Sequence, residues 1–436
     1  MLKTEKNEEN SYFLAFPFSI FRENGSDLLI PKAKEFFEEL TDYFNDNNIF
    51  YYLSQEQKVC RENYYTEEEL TKFDYETMKK CEYVFFAPEN PYSDDSYIEL
   101  GWASALKKNI ILLLEKNTHY PPLVTEITCM TNVKVYYYED FYNDVLSIIK
   151  NYIEECKTKK DIKIIEKFLL NRKEKLISLK KLKGGNHNRI YAINNKYFVK
   201  FKDELSVKKE KMYFGKNNKP YSPKLYSSNI KEKYLIYELL DAKDFDNEEL
   251  IPDLLEKAFI YSKKLIKTKK KGYGYYGIEN NSWIDFLNQE VDVSKDYLKN
   301  YLDELDFKIV DKSLNEIKEY SFTKKILHGD FGLHNVMISP DRDIYFIDPE
   351  PVLGDWIYDY IFFCFSDVLT IRKITFDEII DKINENKNKV KAMMVIVLFN
   401  RLRRVLKYSS EDYEEYLKLW KELEDYYNDW FTYTYH

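Results

Sequence analysis

No run of about 18 apolar residues occurs anywhere in the chain, so the sequence offers no membrane-spanning helix and no membrane partner is expected. The opening ten residues, Met-Leu-Lys-Thr-Glu-Lys-Asn-Glu-Glu-Asn, lack the apolar core of a secretory leader. Cysteine is scarce. The five that occur, at 60, 81, 129, 156 and 364, are odd in number and follow no ligand spacing. That excludes a disulfide framework and a cysteine-rich metal site, and it fits a reducing, cytoplasmic setting. Basic excess is also missing: 66 Lys and Arg stand against 75 Asp and Glu, a formal charge of -9. A nucleic-acid partner is therefore not expected. The basic run from Lys267 to Lys271 has no recognition element around it and reads as a solvated face. No internal repeat or long low-complexity tract is present.

What the chain does have is length and apolar content. With 436 residues, 44% of them apolar and 32% charged, it should form two or three soluble domains with real cores. The 40 tyrosines read as compositional bias, not as stacking platforms. Strand-like and helix-like segments alternate through residues 1–151. Tyr12-Phe-Leu-Ala-Phe-Pro-Phe18 is a buried first strand, and 31–47 a helix with Phe36, Phe37, Leu40 and Phe44 on one face. A helix near 66–80 precedes a strand at 83–87. A short helix at 99–108 precedes a strand at 110–114, and a last strand covers 133–138. This alternation predicts an α/β N-terminal domain with a parallel Rossmann-like sheet, whose ligands sit outside the strand C-termini. Residues 152–180, rich in Lys and Glu, read as a helical linker. Beyond them the chain is strand-like over 181–240 and mostly helical over 241–436. That order suits an α+β two-lobed, protein-kinase-like fold with a nucleotide in the cleft.

The most informative stretch is Ile326-Leu-His-Gly-Asp-Phe-Gly-Leu-His-Asn335, followed by Tyr-Phe-Ile-Asp348. Asp330 is placed to orient a hydroxyl and take its proton. Asn335 offers a neutral oxygen and Asp348 a hard anionic oxygen to Mg2+, which also grips nucleotide phosphates. His328 reads as an organiser of the loop. Upstream, Tyr197-Phe-Val-Lys200 resembles a strand ending in a phosphate-pairing lysine, which Glu210 is expected to orient. Gly184 and Gly185 fall in a turn where the backbone could approach the phosphates of ATP. The segment around Glu238 is expected to join the lobes and present backbone to adenine.

His328-Gly-Asp330, Asn335 and Ile347-Asp348 together resemble the aminoglycoside phosphotransferase and choline kinase-like superfamily. The resemblance covers roughly residues 181–380. Pro349-Glu-Pro-Val-Leu-Gly-Asp-Trp-Ile-Tyr-Asp359 resembles a further family segment, with Trp356 where proline is usual; Asp355 and Asp359 there read as structural. The resemblance implies ATP, Mg2+ and a small-molecule acceptor such as an aminocyclitol, sugar, choline or nucleoside. For an aminoglycoside, Asp355, Asp359 and the acidic run 409–415 are candidate contacts; otherwise that run is a solvent face.

Asp94-Asp-Ser-Tyr-Ile-Glu99-Leu-Gly-Trp-Ala103 lies between a predicted strand and helix. Glu99, expected near the first helical turn, could attack an anomeric carbon. Asp94 or Asp95 could assist the sugar or base, and Asp74 could handle a base proton. With Tyr12-Phe-Leu-Ala-Phe-Pro-Phe18, this segment is similar to the nucleoside 2-deoxyribosyltransferase family over about 130 residues. Glu99 falls at that family's nucleophile position, Asp94 on a substrate contact and Asp74 near another family carboxylate. The expectation is thus a phosphotransferase fused to a domain that processes N-glycosidic bonds or binds nucleosides. Two alternatives stand beside it. One is an aminoglycoside-type kinase with a non-catalytic N-terminal domain; the other is a non-catalytic nucleotide sensor or interaction protein. Self-association into a homo-oligomer is left open.

Overall fold

In the first strand, β1 (Tyr12–Ala15), successive side chains enter different cores. Phe13 and Ala15 pack on one side, and Tyr12, Leu14 and the following Phe16 on the other. A strand buried on both faces needs helices on both faces, and this is what the chain supplies. The computed structural model describes residues 11–17, 21, 29–47, 49–53, 66–88, 94–129, 132–182, 189–216 and 221–433. These divide into two compact units, Met1–Lys160 and Asp161–His436.

In the first unit, β1 is joined by β2 (Tyr51–Leu53), β3 (Tyr83–Phe86), β4 (Asn109–Glu115) and β5 (Val133–Tyr138). All pair in parallel, in the order β2-β1-β3-β4-β5. Helix α1 (Pro31–Asp46) starts with proline at its first position and buries Ala33, Phe36, Leu40 and Phe44. Each fully buried Phe or Leu contributes about 1.5–3 kcal/mol. Helix α2 (Glu67–Lys80) begins at a Thr66–Glu69 capping box, and α3 (Asp94–Ala105) places Leu100 and Ala103 on the other face of the sheet. The strand order reverses between β1 and β3, so a ligand crevice is expected beyond Ala15 and Phe86.

Helix α4 (Leu146–Asn171) occupies much of the segment read as a linker. The second unit opens with an antiparallel sheet of β6 (Leu179–Lys181), β7 (Ile190–Ile193), β8 (Tyr197–Phe201), β9 (Leu225–Asn229) and β10 (Tyr234–Glu238). Its order is β6-β7-β8-β10-β9, so β10 is an internal strand. Asn194 and Asn195, both left-handed at φ 53° and 48°, turn β7 into β8. Tyr197, Val199 and Phe201 pack with Phe168 and Leu169 of α4, so Lys200 must face the opposite side, towards α5 (Glu204–Lys216).

The remainder is helical around one large core. Its chief helices are α6 (Ile251–Lys263), α7 (Trp283–Leu298), α8 (Glu304–Ile317), α9 (Trp356–Cys364), α10 (Phe376–Ile383), α11 (Lys387–Tyr408) and α12 (Tyr413–Tyr433). Two small antiparallel pairs carry the motif loops. Strand β11 (Lys324–Leu327) pairs with β14 (Val352–Asp355), and β12 (Val336–Ile338) with β13 (Ile344–Phe346). The His328–Asn335 loop therefore runs from one pair to the other, and Asp348 sits on the return.

Candidate active site

Gly329 explains why the His-Gly-Asp loop turns where it does. Its φ is +79°, and a Cβ there would lie 1.9 Å from the Glu350 carbonyl oxygen. Asp359, from the first turn of α9, then fixes the loop. The His328 N–H donates to Asp359 Oδ2 at 2.7 Å and the Gly329 N–H to Oδ1 at 3.0 Å. Fully buried His328 donates from Nε2 to the Ile347 carbonyl at 2.9 Å, tying the loop to the strand that leads to Asp348. Burial pushes its imidazole down to about 4, so it is neutral near pH 7.

Asp330 is gripped from three sides. Asn335 donates Nδ2 to its Oδ2 at 3.1 Å and to its backbone oxygen at 2.8 Å. His334 Nε2 lies 3.1 Å from Oδ2, and Arg404 Nη1 donates to Oδ1 at 3.3 Å. Burial alone would raise the carboxyl, but His334, Arg404 and His328 hold it well below the usual carboxylate range. Asp348, left-handed at φ 50°, forms an ion pair with Lys200, and Lys202 Nζ stands 3.9 Å away. Burial again opposes ionisation, and Lys200 and Lys202 overcome it, lowering the group.

Several expected positions are corrected in detail. Glu210 pairs with Lys202, not with Lys200, and accepts a hydrogen bond from Tyr237 at 2.5 Å. Lys200 and Lys202 are two residues apart on an extended segment and project to the same side, so α5 meets the second while Asp348 takes the first. The Glu238 and Leu239 N–H groups donate to the Lys224 and Lys196 carbonyls, so neither is left to present to a ligand. Gly184 and Gly185 lie outside the described residues. Asp355 and Asp359 are fully buried. Asp355 accepts from Thr323, Ile357 and Lys389, which makes it a structural anchor and not an acceptor contact.

Two cavities meet at Asp348. One, of about 240 Å3, has apolar walls including Phe198, Phe214, Met337 and Ile347, with Lys200 also in its lining. The other, of about 580 Å3, is lined by Asp330, Asp348 and a group of basic side chains. Among the described residues no three His, Cys, Asp or Glu side chains cluster as a metal site. The donors for a cation are one carboxylate, Asp348, and the amide oxygen of Asn335, whose nitrogen is spent on Asp330. That sparse oxygen set fits Mg2+, which keeps most of its ligands as water and phosphate. Sequence reasoning missed Lys202, His334 and Arg404. The available signal for Arg404 was the basic cluster Arg401, Arg403, Arg404 and Lys407 that follows an apolar run in α11.

In the first unit, Glu99 is partly buried on α3, five residues after the helix begins. It therefore lies beyond the first turn, where the helix dipole acts most strongly. Asp74 is buried within α2 and accepts a hydrogen bond from Tyr52 at 2.5 Å. Asp94 and Asp95 open α3, but their side chains lie outside the described ones.

Residues 178–382 match the model of the Phosphotransferase enzyme family. The match spans the lysine strand, the His-Gly-Asp loop and Asp348, and it stops short of Arg404. Among solved structures, the chain is similar to aminoglycoside phosphotransferase APH(4)-Ia, with 17% identity over 59% of this chain and 97% of that one, TM-score 0.40. It is similar to choline kinase LicA from Streptococcus pneumoniae, with 15% identity over 61% and 98%, TM-score 0.39. A third similarity is to the Clostridium botulinum CMP N-glycosidase BcmB, with 24% identity over 32% and 98%, TM-score 0.24. Comparison with curated proteins found no match.

Proposed function

We propose that Asp161–His436 transfers the γ-phosphoryl group of ATP, with Mg2+, to a hydroxyl of a small molecule. The observation that carries this reading is the shared position of Asp348. It lines both the apolar cavity, suited to the nucleotide, and the cavity that holds Asp330. The acceptor oxygen would bond to the γ-phosphorus as the bond to the β,γ-bridging oxygen breaks. ADP would leave with that electron pair, and the hydroxyl proton would pass to Asp330. His334 and Arg404 keep Asp330 ionised, and Asn335 keeps it aimed. Lys200 would exchange part of its pairing with Asp348 for phosphate oxygens. Mg2+, when bound by Asp348 and Asn335, supplies charge neutralisation on the phosphates. The test is ATP-dependent phosphorylation of a hydroxyl metabolite panel by wild type and Asp330→Ala.

For Met1–Lys160 we propose action on, or binding of, the N-glycosidic bond of a nucleoside or nucleotide in a cytoplasmic setting. Glu99 follows β3 on α3, at the strand-order reversal where a ligand crevice is expected, and Asp74 of the neighbouring α2 is buried against Tyr52 of β2. Base release that is lost with Glu99→Ala would support catalysis; intact base release in that variant contradicts it.

A further inference from the structure

The cavity beside Asp330 is also lined by Arg403, Arg404 and Lys407, from the last two turns of α11. Residues three and four apart on a helix share a face, which brings all three to one wall. Every carboxylate that lines this cavity already has a cationic partner. Asp330 is bound by Arg404, Asp348 by Lys200, and Glu350 by Lys209. A cationic acceptor would find no uncommitted anion there. The cations are not all matched in return. Arg403 pairs with Glu290 at 3.1 Å, but among the described residues Lys407 has no carboxylate within ion-pair distance. Its ammonium stands 4.8 Å from the centre of the Tyr408 ring, and Tyr297 and Tyr408 add aromatic surface to the same lining.

We infer that the acceptor is an anionic polyol, a sugar or nucleoside already bearing a phosphate, held by Lys407 on the basic wall that Arg403 and Arg404 complete, while a free hydroxyl reaches Asp330. This rests on the phosphotransferase reading and narrows its substrate. The transfer is the one written above, and its products are ADP and an acceptor with one further phosphate ester.

The experiment uses the full chain with ATP and Mg2+. It compares ribose 5-phosphate, a nucleoside 5′-monophosphate, ribose, the parent nucleoside and an aminoglycoside, measuring both calorimetric binding and phosphoryl transfer. A phosphorylated acceptor should bind and react about tenfold or more better than its uncharged parent, and Lys407→Glu should erase that preference. MgATP affinity reports that the variant is folded. Whichever phosphorylated compound is preferred identifies the scaffold. Equal use of charged and uncharged partners, preference for the aminoglycoside, or failure of both phosphorylated compounds to bind overturns the inference while MgATP binding stands. Loss of MgATP binding in the folded wild type overturns the underlying phosphotransferase reading instead.

Discussion

Asn335 holds Asp330 through a single side-chain nitrogen, which lies 2.8 Å from the Asp330 backbone oxygen and 3.1 Å from its Oδ2. The five-residue spacing of the motif is therefore a physical tether. It fixes the carboxylate and commits the amide nitrogen, leaving the amide oxygen as the side chain's remaining acceptor for a cation.

The tether depends on the turn before it. Gly329→Ala would impose a left-handed alanine and drive its Cβ into the Glu350 carbonyl. The expected loss of stability is about 2–4 kcal/mol, with a fall in kcat as Asp330 is displaced. Chemical denaturation and steady-state kinetics on the variant check both; an unchanged denaturation midpoint and kcat contradict the account.

His328 should leave a signature in stability against pH. Its folded value is pushed down to about 4 from an ordinary 6.5, chiefly by burial. Between those values the unfolded chain binds more protons, so stability rises with pH. The contribution is complete above about pH 6.5 and is lost as pH falls towards 4, amounting to roughly 3 kcal/mol. His328→Gln should flatten that part of the curve, and parallel curves for the two proteins would contradict the assignment.

Asp355 and Lys389 form a buried pair at 3.0 Å. Asp355→Ala leaves Lys389 with Glu385 alone and strips two backbone N–H groups of their acceptor, at a cost of about 3–5 kcal/mol. Thermal unfolding should show a marked drop in Tm. A drop of only a degree or two would mean that Glu385, 2.8 Å from the same lysine, suffices alone.

How much of this was legible in the sequence follows from distance along the chain. Asp330, Asn335 and Asp348 lie on two adjacent loops, and local spacing identified them. The strand carrying Lys200 was visible from the run Tyr197-Phe-Val-Lys200, although it continues to Phe201. The partner of Glu210 was not, because Lys200 and Lys202 project to the same side and only packing of α5 chooses between them. Arg404 is 74 residues beyond Asp330, and no local pattern links them. In the first unit four of the parallel strands were readable from their apolar runs, but the three-residue β2 was too short to stand out and was not read. The start of α3 was placed too late, because Asp94-Asp-Ser was read as loop when it supplies the first turn.

The two units should separate in their chemistry. Glu99→Ala should abolish release of a base from a nucleoside or nucleotide and leave phosphoryl transfer intact. Mass spectrometry of both reactions on one preparation checks this, and persistence of base release in the variant would remove Glu99 from the reaction.

The most direct test of the central claim is the appearance of a phosphate adduct in an ATP-fed metabolite mixture, read by mass spectrometry for wild type and Asp330→Ala. The account predicts an adduct made by wild type, with the rate reduced about 10²–10⁴-fold in the variant while MgATP binding persists. An adduct formed equally well by both proteins would contradict it.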